Sequence, residues 1–495
     1  MPEHEVVVIG AGISGIGMGI ALRRAGIEDF VILERAAAIG GTWRDNTYPG
    51  IGVDVPAQAY QFSYAPNPGW SRVFAPGHEV RSYVEGLADR FRLRPHLRLG
   101  TEVVRRDWDE ELHLWRLTTS GGEITARFVV SAIGAFVEPK PVDIPGIEDF
   151  RGDVLRSASW DHTVPLDGRR AAIVGTGASA VQIIPEIARR TAHLDVYQRT
   201  PIWIAPKPDA AVPAALRRLY ARAPRFQEAV RRAATRGVEY LLIDSVVRHR
   251  PAVTARLERL LRDTWYRTQV RDPETRAKLV PDYGFGCKRP SVSNAYLRTF
   301  NRPDVALVTD PIERVTPTGL RTKDGTEHPA DVLILATGFR LASDPEVFRR
   351  TPVRGRDGFD LAERYATERL ASYEGVTQPG LPNHFMMFGP YGWVGGTWHQ
   401  LVETTAAHVV RVLGEARRRG ATAVEVRPEA AARWTGEMRG RLGGSVFHGR
   451  CATARSYYFD HHGDLPYLRP TSSAQAREAA ASFPLDDYLY ETRHA

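Results

Sequence analysis

The sequence predicts an α/β protein built on two dinucleotide-binding, Rossmann-like units, with a helical insertion in the second. Three observations carry this. An apolar run, Val6–Ile9, opens directly into the glycine fingerprint Gly10-Ala11-Gly12-Ile13-Ser14-Gly15. A second run, Ala171–Val174, opens into Gly175-Thr176-Gly177-Ala178-Ser179-Ala180. Between about residues 206 and 281 the pattern changes to Arg- and Ala-rich helical periodicity. Short, continuous apolar runs are what parallel strands buried on both faces require.

The first unit is complete in sequence. After the glycines a helix-like segment runs through Arg24, then the apolar run Phe30–Leu33 ends at Glu34. Gly10 makes the tight turn, Gly12 admits the pyrophosphate to the backbone, and Gly15 lets the helix pack on the strand. The helix N-terminus offers N–H groups and the positive end of its dipole to the diphosphate, with Ser14 beside them. An acid about 20 residues past the glycines accepts the ribose hydroxyls, so Glu34 and its neighbour Arg35 are candidate nucleotide contacts.

Next comes Gly40-Gly41-Thr42-Trp43-Arg44-Asp45-Asn46-Thr47-Tyr48-Pro49-Gly50-Ile51-Gly52-Val53-Asp54. Its glycines allow close backbone approach to a large flat ligand. It reads as the wrapper of a flavin ring, with Gly41, Thr42 and Trp43 on the cofactor and Asp54 beside its reactive edge. The first unit is therefore assigned FAD.

The second unit differs at one point. Where the first has Glu34, this one has Gln198-Arg199-Thr200. A carboxylate there would repel a 2′-phosphate, whereas an arginine pairs with it. The second unit therefore reads as an NADPH site, with Gly175, Thr176, Gly177, Ser179, Ala180, Arg199 and Thr200 as contacts. Two further apolar runs end in glycine: Phe128–Gly134 and Val332–Gly338. Both read as buried strands close to nucleotide, which adds Thr337 and Gly338 to the cofactor contacts.

A Pro-rich linker, Glu138–Gly146, separates the units, and after Pro382 the chain is expected to return to the first. The division is 1–145 with 382–495 for FAD, 146–205 with 282–381 for NADPH, and 206–281 for the insertion. In the return segment, Asn383–Phe388 reads as a strand and a helix starts near Thr397. The Ala/Ser-rich tail beyond Thr471 is expected to be loosely held.

Composition excludes several classes. The net charge is +8, but the 66 Lys and Arg residues are scattered and form no aromatic-interleaved stripe, so nucleic acid is not the expected partner. No apolar run approaches about 18–20 residues, and the N-terminus lacks a signal-peptide pattern, so a cytoplasmic protein is expected. The only cysteines, Cys287 and Cys451, lie far apart in sequence. They read as unpaired, in a reducing compartment, and offer neither a CxxC redox pair nor a metal-ligand pattern. A flavin reduced by NADPH with no dithiol to serve must pass its electrons elsewhere, and oxygen is the natural acceptor.

These residues resemble the class B flavoprotein monooxygenases, and within them the type I Baeyer–Villiger monooxygenases. Gly40 to Asp54 matches the family pattern (A/G)GxWxxxx(F/Y)P(G/M)xxxD at every defined position. Phe150, Gly152, Trp160 and Asp161 fit the fingerprint FxGxxxHxxxW(P/D), and Arg156 stands where the family has histidine. The stretch Gly286-Cys287-Lys288-Arg289-Pro290 is similar to the segment that delivers the family's catalytic arginine. The resemblance implies that Arg289 is catalytic, that Asp54 positions it, and that Lys288 contacts the NADPH 2′-phosphate. It implies an oxidoreductase that inserts one oxygen atom from O2 next to a ketone carbonyl through a C4a-peroxyflavin, giving an ester or lactone. The alternatives are an N- or S-oxygenating flavin monooxygenase, or a non-oxygenating NADPH–flavin oxidoreductase. Tyr60, Tyr391, Trp393 and Trp398 are candidates for lining a pocket for an apolar ketone.

Overall fold

Two separate sheets organise the chain in the computed structural model, which describes residues 2–240 and 251–493. In the first, His4–Ile9 lies between Phe30–Glu34 and Gly122–Ser131, parallel to both, with Val6 opposite Phe30 and Phe128. Val103–Asp109 and Leu114–Thr119 extend this sheet antiparallel. Two later segments return to it: Val353–Arg354 and His384–Met386. The strand expected at Asn383–Phe388 is thus real but shorter, His384–Met386.

The second sheet is wholly parallel, ordered Val305–Val308, His193–Tyr197, Arg170–Val174, Val332–Leu335, Asp153–Arg156. All four residues of Val332–Leu335 are buried, which is why that run reads as continuously apolar. A further three-stranded antiparallel sheet, Ile312–Thr316, Gly319–Thr322 and Glu327–Pro329, flanks it.

Helices occupy most of the stretch expected to be an insertion: Ala214–Arg222, Pro224–Val238, Pro251–Leu260 and Pro273–Leu279. Residues 241–250 of that stretch lie outside the described residues. The 22-residue helix Trp398–Arg419 starts on a capping box, Thr397 with Gln400, at the position expected. No helix of the described residues is long and apolar enough to cross a membrane.

Two expectations are corrected. The tail is not loose. Ser472 and Gln475 cap a helix over Ser473–Ser482, and Tyr488–Glu491 pairs antiparallel with Ala423–Val426. The Tyr488 hydroxyl lies 2.6 Å from His408 Nε2. Ala and Ser dominate the composition there, but Phe483 and Tyr488 supply buried anchors that composition alone conceals. The cysteines are not unpaired either: Cys287 and Cys451 form a disulfide across 164 residues. Their separation in sequence carried no information about distance, because the segments that hold them pack together.

Candidate functional site

The first cradle is built from backbone. The helix Ile13–Arg24 begins on Gly12 with no side-chain cap, whereas Thr397 and Ser472 cap theirs. Its first-turn N–H groups are therefore directed at whatever lies before the helix. A Cβ on Gly15 would lie 1.8 Å from the Gly10 carbonyl oxygen, so only glycine lets helix and strand approach this closely. A Cβ on Gly41 would lie 3.0 Å from Gly12 Cα, so the 40–54 loop closes directly over the fingerprint turn. The Gly40 N–H donates to the Ala11 carbonyl at 3.0 Å.

Side chains lock this arrangement. Glu34 is buried, accepts from the Ala11 and Ala36 N–H groups at 2.8 and 3.0 Å, and pairs with Arg44 Nη1 at 3.0 Å. The acid that ends the strand therefore ties the fingerprint turn to the 40–54 loop. Trp398 donates to Ser14 Oγ at 2.8 Å, and Trp43 donates to the Tyr60 hydroxyl at 3.2 Å. Thr42 opens the short helix Thr42–Asp45, and Arg35 is exposed. A bare glycine cradle at an uncapped helix end fits a dinucleotide pyrophosphate.

The second cradle repeats the device. Ala178–Ile187, which contains Ser179, begins on Gly177 with no side-chain cap, and a Cβ on Gly177 would meet nothing within 4 Å. Ala180 is buried, and Thr176 Oγ1 donates to the Thr200 carbonyl at 3.2 Å. Thr337 and Gly338 stand two and three residues past the strand Val332–Leu335. Arg199 is exposed just past His193–Tyr197. Lys288 is pushed down to about 8, first by burial and then by the positive charges of Arg199 and Arg455. Cations crowded together in this way fit a phosphate, which would relieve their repulsion.

The two cradles meet at one ion pair. Arg289 donates to Asp54 with both ends of its fork: Nε to Oδ2 at 2.6 Å and Nη2 to Oδ1 at 3.1 Å. Such bidentate geometry fixes orientation as well as proximity. Burial pushes the Asp54 carboxyl up, but the Arg289 guanidinium more than offsets this and holds it below the usual carboxylate range. The carboxylate's stabilising effect is therefore present above its unfolded value and lost as pH falls through the depressed one. Burial pulls Arg289 down and Asp54 raises it further, so it stays charged. The guanidinium carbon lies 5.6 Å from the centre of the Trp393 ring.

Gln182 carries Asp54 to this meeting point. On the second cradle's helix, it donates to the Gly52 carbonyl at 2.9 Å and accepts from the Tyr48 hydroxyl at 3.2 Å. His162 Nε2 lies 3.0 Å from Thr47 Oγ1. Nothing in the sequence singled out Gln182, one of three polar residues in its helix with Ser179 and Glu186. Tyr457 and Tyr458 were also missed, since their only signal is an aromatic pair. Their rings are 4.7 Å apart, and the Arg289 charge acts on both phenols.

Other candidates are placed elsewhere. Tyr391 is fully buried in the core and accepts from Arg439 Nε at 3.0 Å. Tyr60 and Trp398 brace the first cradle through the bonds above. Arg156 is exposed at the end of Asp153–Arg156, paired by backbone with Leu335. Among the described residues, Glu110, His113 and Glu491 stand together as possible metal ligands, but Arg356 bridges Glu110 and Glu491 at 2.9 Å each.

Comparison with known proteins adds the family. Residues 7–235 match the family described as pyridine nucleotide-disulphide oxidoreductase. A Baeyer–Villiger monooxygenase of Streptomyces coelicolor is 38% identical, over 99% of this chain and 94% of its own. A solved structure of OTEMO in complex with FAD and NADP has a TM-score of 0.86 at 28% identity, covering 99% of both chains. Cyclohexanone monooxygenase from Rhodococcus sp. Phi1, bound to NADP+, has a TM-score of 0.87 at 27% identity, also over 99% of both.

Proposed function

The chain belongs to the Baeyer–Villiger monooxygenase family, and from that premise we propose which of its residues carry the reaction. It is an FAD- and NADPH-dependent flavoprotein monooxygenase that inserts one oxygen atom from O2 next to a ketone carbonyl to give an ester or lactone. The observation that carries our reading of the site is the bidentate Asp54–Arg289 pair between two uncapped glycine cradles.

Bound FAD and NADPH supply the chemistry that activates oxygen and the hydride that starts it. The chain supplies position and charge. The first cradle holds FAD through Gly10, Gly12, Ser14 and Gly15, with Gly41, Thr42 and Trp43 closing over it. Glu34 and Arg35 serve its ribose side. The second cradle holds NADPH through Gly175 to Ala180, with Thr200, Thr337 and Gly338 beside it. Arg289 is the catalytic residue: its fixed guanidinium stabilises the negative charge that develops on oxygen as it is inserted beside the carbonyl. Asp54 holds that guanidinium in orientation and stays ionised while doing so.

The substrate we propose is an apolar ketone, admitted beside Trp393. The test is a ketone panel scored for NADPH consumed, ester formed and peroxide released. Ester matching NADPH supports the reading. Peroxide with every ketone, together with turnover of amines or sulfides, would replace it with heteroatom oxygenation.

Lys288 and Arg199 are proposed to take the 2′-phosphate. Lys288→Ala and Arg199→Ala are each expected to raise KM for NADPH about 10-fold and leave KM for NADH nearly unchanged, as loss of one charge-assisted contact would do. Steady-state kinetics with both cofactors checks this, and an equal loss for NADH would remove the assignment.

We also keep, as part of this reading, 1–145 with 382–495 around FAD, 146–205 with 282–381 around NADPH, and 206–281 as the insertion. Val353–Arg354, which pairs in the first sheet, and Phe348, Leu361, Tyr365 and Leu381, which pack against its strands, then cross the divide. A cytoplasmic location, where both cofactors are abundant, completes the proposal.

A further inference from the structure

We propose that the Cys287–Cys451 disulfide is a tether that positions Arg289, and that its reduction uncouples oxygen insertion from NADPH oxidation. The inference rests on the role proposed for Arg289 above.

Arg289 lies in a short stretch held at both ends. On its C-terminal side, Ser291–Val292 pairs with Ile204–Ala205, and the Ser291 N–H donates to the Trp203 carbonyl at 2.9 Å. On its N-terminal side stands Cys287, two residues away, bonded to Cys451. That second anchor belongs to the C-terminal part of the chain, whose strand His384–Met386 pairs in the first sheet. The tie therefore crosses from the Arg289 segment to the body that presents Asp54.

Neighbouring contacts converge on the same spot. The Gly284 N–H donates to the Arg450 carbonyl at 3.1 Å. Glu258 accepts from the Phe285 N–H at 2.8 Å and pairs with Arg450 at 2.8 Å. Beyond Cys451 the chain runs to Tyr457 and Tyr458, the aromatic pair on which the Arg289 charge acts. One covalent bond thus fixes both the strap that carries the guanidinium and the start of the strap that packs beside it.

Cys287 and Cys451 are 0% and 4% exposed, so the bond is shielded from bulky thiols and can persist where soluble thiols are abundant. Reduction by a small dithiol is balanced simply. The reagent gives two electrons and two protons to the sulfur pair, leaving two protein thiols and its own cyclic disulfide.

The experiment uses FAD-loaded enzyme. Iodoacetamide under denaturing conditions should add no mass before dithiothreitol treatment and two alkyl groups after it. Labelling of both cysteines without reductant would overturn the proposal at once. Treated, untreated and reoxidised enzyme, and Cys451→Ser, are then compared in three measurements. Ester formed per NADPH should fall about tenfold on reduction, as expected for a displaced catalytic group. Peroxide should rise to match, and flavin bleaching by NADPH should stay within about twofold, since that step does not use Arg289. Hydrogen exchange should quicken in peptides covering 284–291 and 446–458 and stay unchanged in 4–34.

Reoxidation should restore coupling, and Cys451→Ser should behave as reduced enzyme and ignore the dithiol. An ester yield unmoved by reduction, or bleaching and exchange that worsen throughout, would overturn the tether. If untreated enzyme makes no ester from any ketone, the proposed function fails instead, and exchange at 284–291 still decides the tether.

Discussion

Arg289→Ala is expected to bleach its flavin with NADPH at near the parent rate and to lose ester formation by about 100- to 1,000-fold, the usual cost of deleting one preorganised donor to a developing oxyanion. Arg289 is assigned no part in hydride transfer to the flavin, so the two half-reactions should separate. The variant also leaves Asp54 without its partner. Repulsion between that carboxylate and the developing charge adds to the loss. Arg289→Lys should recover little, because an ammonium cannot reproduce the two-point contact at 2.6 and 3.1 Å. Stopped-flow bleaching and product yield read the two halves separately. Ester formation retained in Arg289→Ala would remove Arg289 from the reaction.

Gly15→Ala is expected to yield protein that retains no flavin and is destabilised by about 3 kcal/mol or more, at the upper end of overpacking costs. The new methyl would sit 1.8 Å from the Gly10 carbonyl oxygen. That atom is backbone, and the same turn has Gly10 at φ +105° beside the Ala132 carbonyl, so it has nowhere to retreat. The helix must lift off the strand, which opens the gap between Gly12 and Gly41. Gly436→Ala is the control. It lies inside the helix Pro428–Leu442 with nothing within 4 Å of its added Cβ, and should be neutral or slightly stabilising, by up to about 1 kcal/mol. Flavin absorbance after gel filtration and thermal melting distinguish the two. Full flavin retention in Gly15→Ala would show that the close approach is dispensable.

The parts legible in sequence were those in which chemistry is encoded locally. Val6–Ile9, its glycines and Glu34 stand within 30 residues of one another, and a strand buried on both faces has no polar positions to disguise it. The same holds for the second cradle. The ion pair was not legible in that way. Asp54 and Arg289 are 235 residues apart, and only resemblance to a family joined them before the structure did. Gln182 and the disulfide had no local signal at all, because each acts across an interface that exists only once both sheets are in place. The tail was misjudged for a related reason: two buried aromatic anchors outweigh nine Ala and Ser residues, and composition averages them away.

The order in which the sheets draw on the chain has a consequence for biogenesis. The second sheet uses residues from Asp153 to Leu335 and nothing outside them. The first begins at His4 but needs His384–Met386 to finish. As the ribosome releases the chain from its N-terminus, the nested unit can therefore complete while the enclosing one still lacks a strand. The bond to Cys287 can close only after Cys451, 164 residues later, has emerged. Synthesis itself thus sets a vectorial schedule: the nested sheet first, the enclosing sheet next, and the clasp beside Arg289 last.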